Sequence, residues 1–122
     1  MASSLDIISW ILSLKTIAVV GCSPKPERPS HGVARYLQVA GYKIIPVNPG
    51  HERILGEKCY PNLSEIPEKV DVVDIFRRSE EVLPVVKEAI KILGLENNPT
   101  WAKGERILIQ DTYKLDWYDM RF

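Results

Sequence analysis

The sequence predicts an α/β domain with a mostly parallel sheet, and three observations carry that expectation. Ile17 to Val20 is an unbroken β-branched apolar run, as in strands covered on both faces. Beyond Ser30, the spacing of Val33, Tyr36, Leu37 and Ala40 gives an apolar stripe at helical period. Tyr42 to Val47 then reads as a second strand, completing a β-α-β unit. Such crossovers are right-handed in nearly all cases, so both strand ends face one edge beside the helix N-terminus.

The chain of 122 residues is expected to be a single domain, 1–122, long enough to bury a core. Sixteen basic residues balance sixteen acidic ones, so no global field draws it to nucleic acid or a membrane, and any anion site must be local. Two cysteines, Cys22 and Cys59, make neither a disulfide framework nor a zinc motif, and no metal site is expected. A reducing cytoplasm is the expected setting.

At the N-terminus, MASSLDIISWILSL lacks the basic leader and cleavage site of a signal peptide, and its apolar part is far short of the roughly 20 residues of a membrane span. Leu5, Ile8, Ile11 and Leu12 repeat at helical spacing, with Ser3 or Ser4 as N-cap. This predicts a short helix within 1–14 packed on the sheet. An oligomer or partner helix anchored by Trp10 is the alternative.

The stretch Lys15 to Tyr36, KTIAVVGCSPKPERPSHGVARY, carries the chemistry. Gly21 ends the first strand, and the following loop leads to a helix N-terminus, where unpaired amides and the helix dipole favour an anion. Lys25 and Arg28 add positive charge. Cys22 reads as a small residue that lets the backbone approach a ligand, in preference to a nucleophile activated by the helix end. Ser30-His31-Gly32 reads as a helix-capping turn rather than as the setting of an acid/base histidine. Gly41 is placed to end the helix. Pro46-Val47-Asn48-Pro49 then forms a stiff wall at the same edge, where a nucleotide base would lie.

Residues 51–67 are polar and interrupted by Gly56, Pro61 and Pro67, leaving room for a short strand near Lys58 to Tyr60 and a helical turn near Ser64. Cys59 is expected to be a packed thiol. Val70 to Phe76 is a third strand, with Asp71 and Asp74 expected near strand ends or a helix flank. Arg77 and Arg78 follow on the edge that carries the glycine turn, where guanidinium groups suit an anion. Ser79 is expected to cap the next helix, with Pro84 in its first turn and the start near Glu80 or later. Its buried stripe is Val82, Val86, Ala89, Ile90 and Leu93, with Glu81, Lys87, Glu88 and Lys91 facing water, and Gly94 stops it. Ile107 to Gln110 is a plausible last strand before an aromatic, charged tail.

Two nucleotide chemistries lack their signatures. Gly21-Cys22-Ser23-Pro24-Lys25-Pro26 is not Gly-x-Gly-x-x-Gly, and the second strand ends in Asn48 rather than an acid, so both marks of NAD binding are missing. A phosphate loop ending in Gly-Lys-Ser/Thr is also absent. The longer basic loop suits a bulkier, more negative nucleotide, and no catalytic residue is assigned.

The segments Lys15 to Gln38, Gly41 to Pro49 and Leu55 to Arg78, with the helix through Ile92, resemble the small stand-alone CoA-binding proteins. Their domain is similar to the N-terminal domain of the succinyl-CoA synthetase α chain. The resemblance implies a Rossmann-like three-layer α/β/α fold that binds coenzyme A without an established reaction. It places Gly21, Cys22 and Ser23 at the pyrophosphate, Lys25 and Arg28 towards phosphate, and Val47, Asn48 and Pro49 near adenine and ribose. Phe76, Arg77 and Arg78 would flank the nucleotide, and His31 lies within the same stretch as a further cofactor-side residue.

After Ile92 the sequence departs from the family, whose members continue with a strand of the type Gly-Ala-Lys-Val-Val-Trp-x-Gln and end near Asp-Arg-Cys. Here Leu93-Gly94-Leu95-Glu96-Asn97 follows directly, Asp111-Thr112-Tyr113 stands near the end, and 93–122 is read as a divergent segment. Either Ile107 to Gln110 fills the vacant sheet position, or an exposed edge is covered by the tail or another subunit. The leading expectation is a CoA or acyl-CoA carrier, sensor or regulatory module. The alternatives are an NAD(P)-dependent oxidoreductase, an acyl-CoA enzyme using Cys22 or His31, and an interaction domain built on Trp101, Trp117, Tyr118 and Phe122.

Overall fold

The computed structural model describes residues 15–97 and 106–111. The expected helix within 1–14, most of the segment 96–105 and the aromatic tail lie outside the described residues. In chain order the elements are β1 (Thr16–Val20), α1 (Pro29–Val39), β2 (Lys43–Val47), a hairpin of β3 (Arg53–Ile54) and β4 (Glu57–Lys58), and a 3-10 turn (Leu63–Glu65). β5 (Val72–Arg77), α2 (Ser79–Leu93) and β6 (Ile107–Asp111) follow.

The main sheet has the order β2-β1-β5-β6, and every neighbouring pair is parallel. β6 therefore occupies the position beside β5 that the sequence left open. The chain steps one way from β1 to β2 and the other way from β5 to β6. Right-handed crossovers in opposite directions put their helices on opposite faces.

The two cores record this arrangement. Ile17 and Val19 pack with Ala34 of α1, Ile44, Val72 and Phe76 on one face. Ala18 and Val20 pack with Ile45, Val47, Val73, Ile75 and, from α2, Ala89 and Leu93 on the other. Alternate β1 residues thus go to separate cores, which is why the strand reads as a continuous apolar run. The result is a three-layer α/β/α Rossmann-like domain.

Several local expectations need correction. α1 does not bury the stripe Val33, Tyr36, Leu37 and Ala40. Its buried residues are Ser30, His31 and Ala34, with Val33 and Leu37 partly covered and Tyr36 73% exposed. Half of the expected stripe, Val33 and Leu37, thus packs against the core, while Tyr36 and Ala40 are exposed. Arg28 is the N-cap and Pro29 occupies the first turn, so neither Ser30 nor His31 caps the helix.

α2 begins at Ser79 itself, with Arg78 as N-cap, which moves the cap off Ser79. Pro84 lies inside the helix, where its missing N–H leaves the Glu80 carbonyl without its intrahelical donor. Glu88 does not simply face water, because its Oε1 accepts from the Leu63 amide at 2.8 Å and ties α2 to the 3-10 turn.

The two aspartates of β5 also separate. Asp71 sits at the strand's start as expected, and its Oδ2 accepts from the amides of Lys15 (2.9 Å) and Thr16 (3.0 Å), stapling β1 to β5. Asp74 lies mid-strand, 2% exposed, and takes a hydrogen bond from Gln110 Nε2 at 3.1 Å. Its partner comes from β6, more than thirty residues away, so local sequence gave no warning.

Candidate functional site

The order β2-β1-β5 places a topological switch point between β1 and β5, because the loop after β1 leads to one face and the loop after β5 to the other. Gly21 stands at that point. Its φ is +80°, and a Cβ there would lie 2.0 Å from the Phe76 carbonyl oxygen. Only glycine admits both the left-handed conformation and this approach. The Gly21 N–H donates to the Val47 carbonyl at 2.8 Å. The carboxyl ends of β1, β2 and β5 therefore meet at one residue.

Asn48 extends the junction. Its Nδ2 donates to the Cys22 carbonyl at 2.9 Å, tying the end of β2 to the loop after β1. Its own N–H donates to the Tyr60 carbonyl at 2.9 Å, while the Tyr60 N–H donates to the Pro46 carbonyl at 3.1 Å. A parallel bridge between Val47 and Tyr60 thus braces β2 from its outer side. Tyr60 is a brace that the sequence reading did not assign to this rim. Its only advance signal was the expected short strand near it.

The loop 21–28 is more self-contained than its sequence suggests. The Ser23 N–H donates to Ser30 Oγ at 3.0 Å, and the Lys25 N–H donates to Ser23 Oγ at 3.1 Å. The Arg28 N–H closes onto the Lys25 carbonyl at 3.1 Å. The amides of Ser23 and Lys25 thus have their acceptors within the loop and the first turn of α1. Ser30, missed as a rim residue, is 4% exposed and supplies one of these acceptors.

The proposed cofactor-side residues fall into two groups. Cys22, Val47 and Phe76 have fully buried side chains and present only backbone at the rim. Lys25, Arg28, Pro49 and Arg78 are exposed, while Ser23, Asn48 and Arg77 are half-buried. Arg77 is the last residue of β5 and Arg78 the N-cap of α2, so both lie at the edge that carries Gly21. His31 is 9% exposed in the first turn of α1.

Burial sets the thiol chemistry. It pushes the Cys22 thiol up to about 12, with the nearby Cys59 adding to the effect. Cys59 is also raised by burial, and its Sγ lies 3.4 Å from the Asn48 carbonyl. Neither thiol has the electropositive, accessible surroundings that make a nucleophile. Among the described residues no cluster of three or more His, Cys, Asp or Glu side chains could hold a metal, and no helix is long and apolar enough to cross a membrane.

A family model described as the CoA binding domain matches residues 15–101. The chain belongs to this family. The match runs past Ile92 to Trp101, so the family likeness reaches further than the sequence reading placed it.

Among relatives of this CoA-binding domain, the chain is 48% identical over 89 residues to the uncharacterized protein YneT of Bacillus subtilis, an alignment covering 73% of this chain and 66% of that one. It is 37% identical over 76 residues to the ADP-forming acetate–CoA ligase II of Archaeoglobus fulgidus, covering 61% of this chain but 11% of the ligase. The chain thus spans just under two thirds of YneT and a small part of the ligase. A hypothetical protein from Pyrococcus horikoshii OT3 has the same fold at TM-score 0.69 and 33% identity, with 93% of this chain and 92% of that chain covered.

Proposed function

We propose that this CoA-binding domain holds coenzyme A or an acyl-CoA across the rim formed by the ends of β1, β2 and β5, as a carrier, sensor or regulatory module without catalysis of its own. The observation that carries the reading is the convergence at Gly21. Three strand tips are brought together there, at the kind of switch point where open α/β sheets take their ligands.

In this reading Gly21, Cys22 and Ser23 lie along the diphosphate, with Lys25, Arg28 and His31 on the α1 side. Val47, Asn48 and Pro49 lie towards adenosine. Phe76, Arg77 and Arg78 flank the nucleotide from the end of β5. A non-catalytic role is favoured by the sealed thiols, since a nucleophile held near a pKa of about 12 is almost wholly protonated at neutral pH.

Calorimetric titration with CoA, dephospho-CoA and NAD tests the proposal. CoA should bind, NAD should give no heat, and dephospho-CoA should bind more weakly if exposed cations meet the 3′-phosphate. Equal binding of NAD and CoA would remove the distinction on which the reading rests.

A further inference from the structure

Asp74 is the only buried carboxylate among the described residues. Its side chain alternates with those of Val73 and Ile75 and so shares the α1 face of the sheet with Val72 and Phe76. Its neighbours in register are apolar, Val19 of β1 and Leu108 of β6. From α1, which packs over this face, the titratable group is His31, buried beside Ser30 and Ala34. On β6 the charged residues stand at the two ends: Arg106, whose Nε donates to the Asp71 carbonyl at 2.8 Å, and Asp111, paired in register with Arg77. Asp71, the other carboxylate of the β5 segment, already accepts from the Lys15 and Thr16 amides. The one hydrogen-bond partner of Asp74 among the described residues is Gln110 of β6, whose Nε2 lies 3.1 Å from Oδ1 and 3.4 Å from Oδ2.

The strand that carries this partner is lightly held. β6 stands at the edge of the sheet, and of its side chains Ile107 is buried while Leu108 and Ile109 are 45% and 54% exposed. We propose that β6 is a pH-sensitive edge strand: it is held against β5 while Asp74 is protonated and opens locally once Asp74 ionises. Opening admits water to the carboxyl, and a carboxylate in water is far better solvated than one enclosed by Val19 and Leu108. Burial raises the carboxyl of the closed form from 3.8 to about 6, against the smaller opposing effect of Gln110. The closed form therefore binds the proton more tightly than the open one, so closure is favoured below about pH 4 and progressively weakened as pH rises through about 6. The carboxyl end of β6 runs beside Phe76 and Arg77, so opening frees one side of the candidate rim, whatever that rim holds. Weakly buried edge elements are the ones that open below the free energy of global unfolding.

The test is amide hydrogen exchange by NMR on the full chain without ligand, at pH 4 and pH 7 and at several low urea concentrations, with rates corrected for the intrinsic pH dependence of exchange. The opening constant of the protected β6 amides should rise by up to about fiftyfold between the two pH values, the ratio that carboxyls at 3.8 and about 6 give. That opening should respond weakly to urea, whereas the amides of β1 should exchange only by global unfolding with its full urea dependence. Asp74→Asn should abolish the pH response of β6. Gln110→Leu, which removes the donor to the carboxylate, should move the midpoint of the response to higher pH. A pH-independent β6 opening, exchange of β6 only together with β1, or a response that survives in Asp74→Asn and so belongs to His31 or another group would overturn the inference. If Asp74→Asn does not fold, Gln110→Leu decides, and an unmoved midpoint there overturns it equally.

Discussion

At the scale of the residue, Gly21 and Asp74 show how much depends on single positions. Gly21→Ala would set a methyl group against the Phe76 carbonyl and force a left-handed conformation on an L side chain. The variant should lose at least about 2 kcal/mol in denaturant unfolding, with CoA binding lost in parallel. An unchanged unfolding midpoint would mean that the strand tips do not approach as closely as the structure has them.

Asp74 makes a prediction of opposite sign to ordinary acid denaturation. Burial raises its carboxyl from 3.8 to about 6, against a smaller opposing effect of Gln110. The folded state therefore binds the proton more tightly than the unfolded chain does. Its contribution favours folding at acid pH and is lost as pH rises from near 4 towards about 6, by on the order of 3 kcal/mol. Asp74→Asn should raise the melting temperature at pH 7 and flatten this dependence, as scanning calorimetry at pH 5 and pH 7 would reveal. The cysteines offer a simpler check: iodoacetamide at neutral pH should label Cys22 and Cys59 in the unfolded chain and leave both unreacted in the native one.

At the scale of the element, what could be read from the sequence followed from how each element meets its neighbours. β1 and β2 were legible because strands buried on both faces are apolar along nearly their whole length, and β5 was legible in spite of the aspartate at its middle. α1 was found but rotated. Tyr36 looked like core by its chemistry, whereas the sheet-facing positions hold Ser30, His31 and Ala34. β6 was recognised as a strand, but its place in the sheet could not be fixed without the pairing of Ile107 with Val73. In α2, Glu88 looked like a solvated charge until its contact with the Leu63 amide appeared. Glu88→Ala should leave that amide unsatisfied and cost about 1 kcal/mol, measured by urea unfolding. An equal loss in Glu88→Gln would assign the effect to charge instead of the hydrogen bond.

At the scale of the molecule, the candidate rim was legible in outline because parallel β-α-β topology forces strand ends together, whatever the loops contain. Its details were not. The sequence shows which residues are basic or small, but the Ser23 to Ser30 bond and the brace from Tyr60 to β2 are tertiary facts without a local signature. The even charge balance makes the positive charge of Lys25, Arg28, Arg77 and Arg78 at the carboxyl edge a local feature rather than part of a global field.

The meeting of three strands at Gly21 has a mechanical consequence. With its amide fixed to Val47 and its Cα seated on Phe76, the residue works as a keystone, so that a push on the end of β5 is felt at β2 and at the hairpin beyond it. Any shift at this stone would therefore be shared by three strand tips at once.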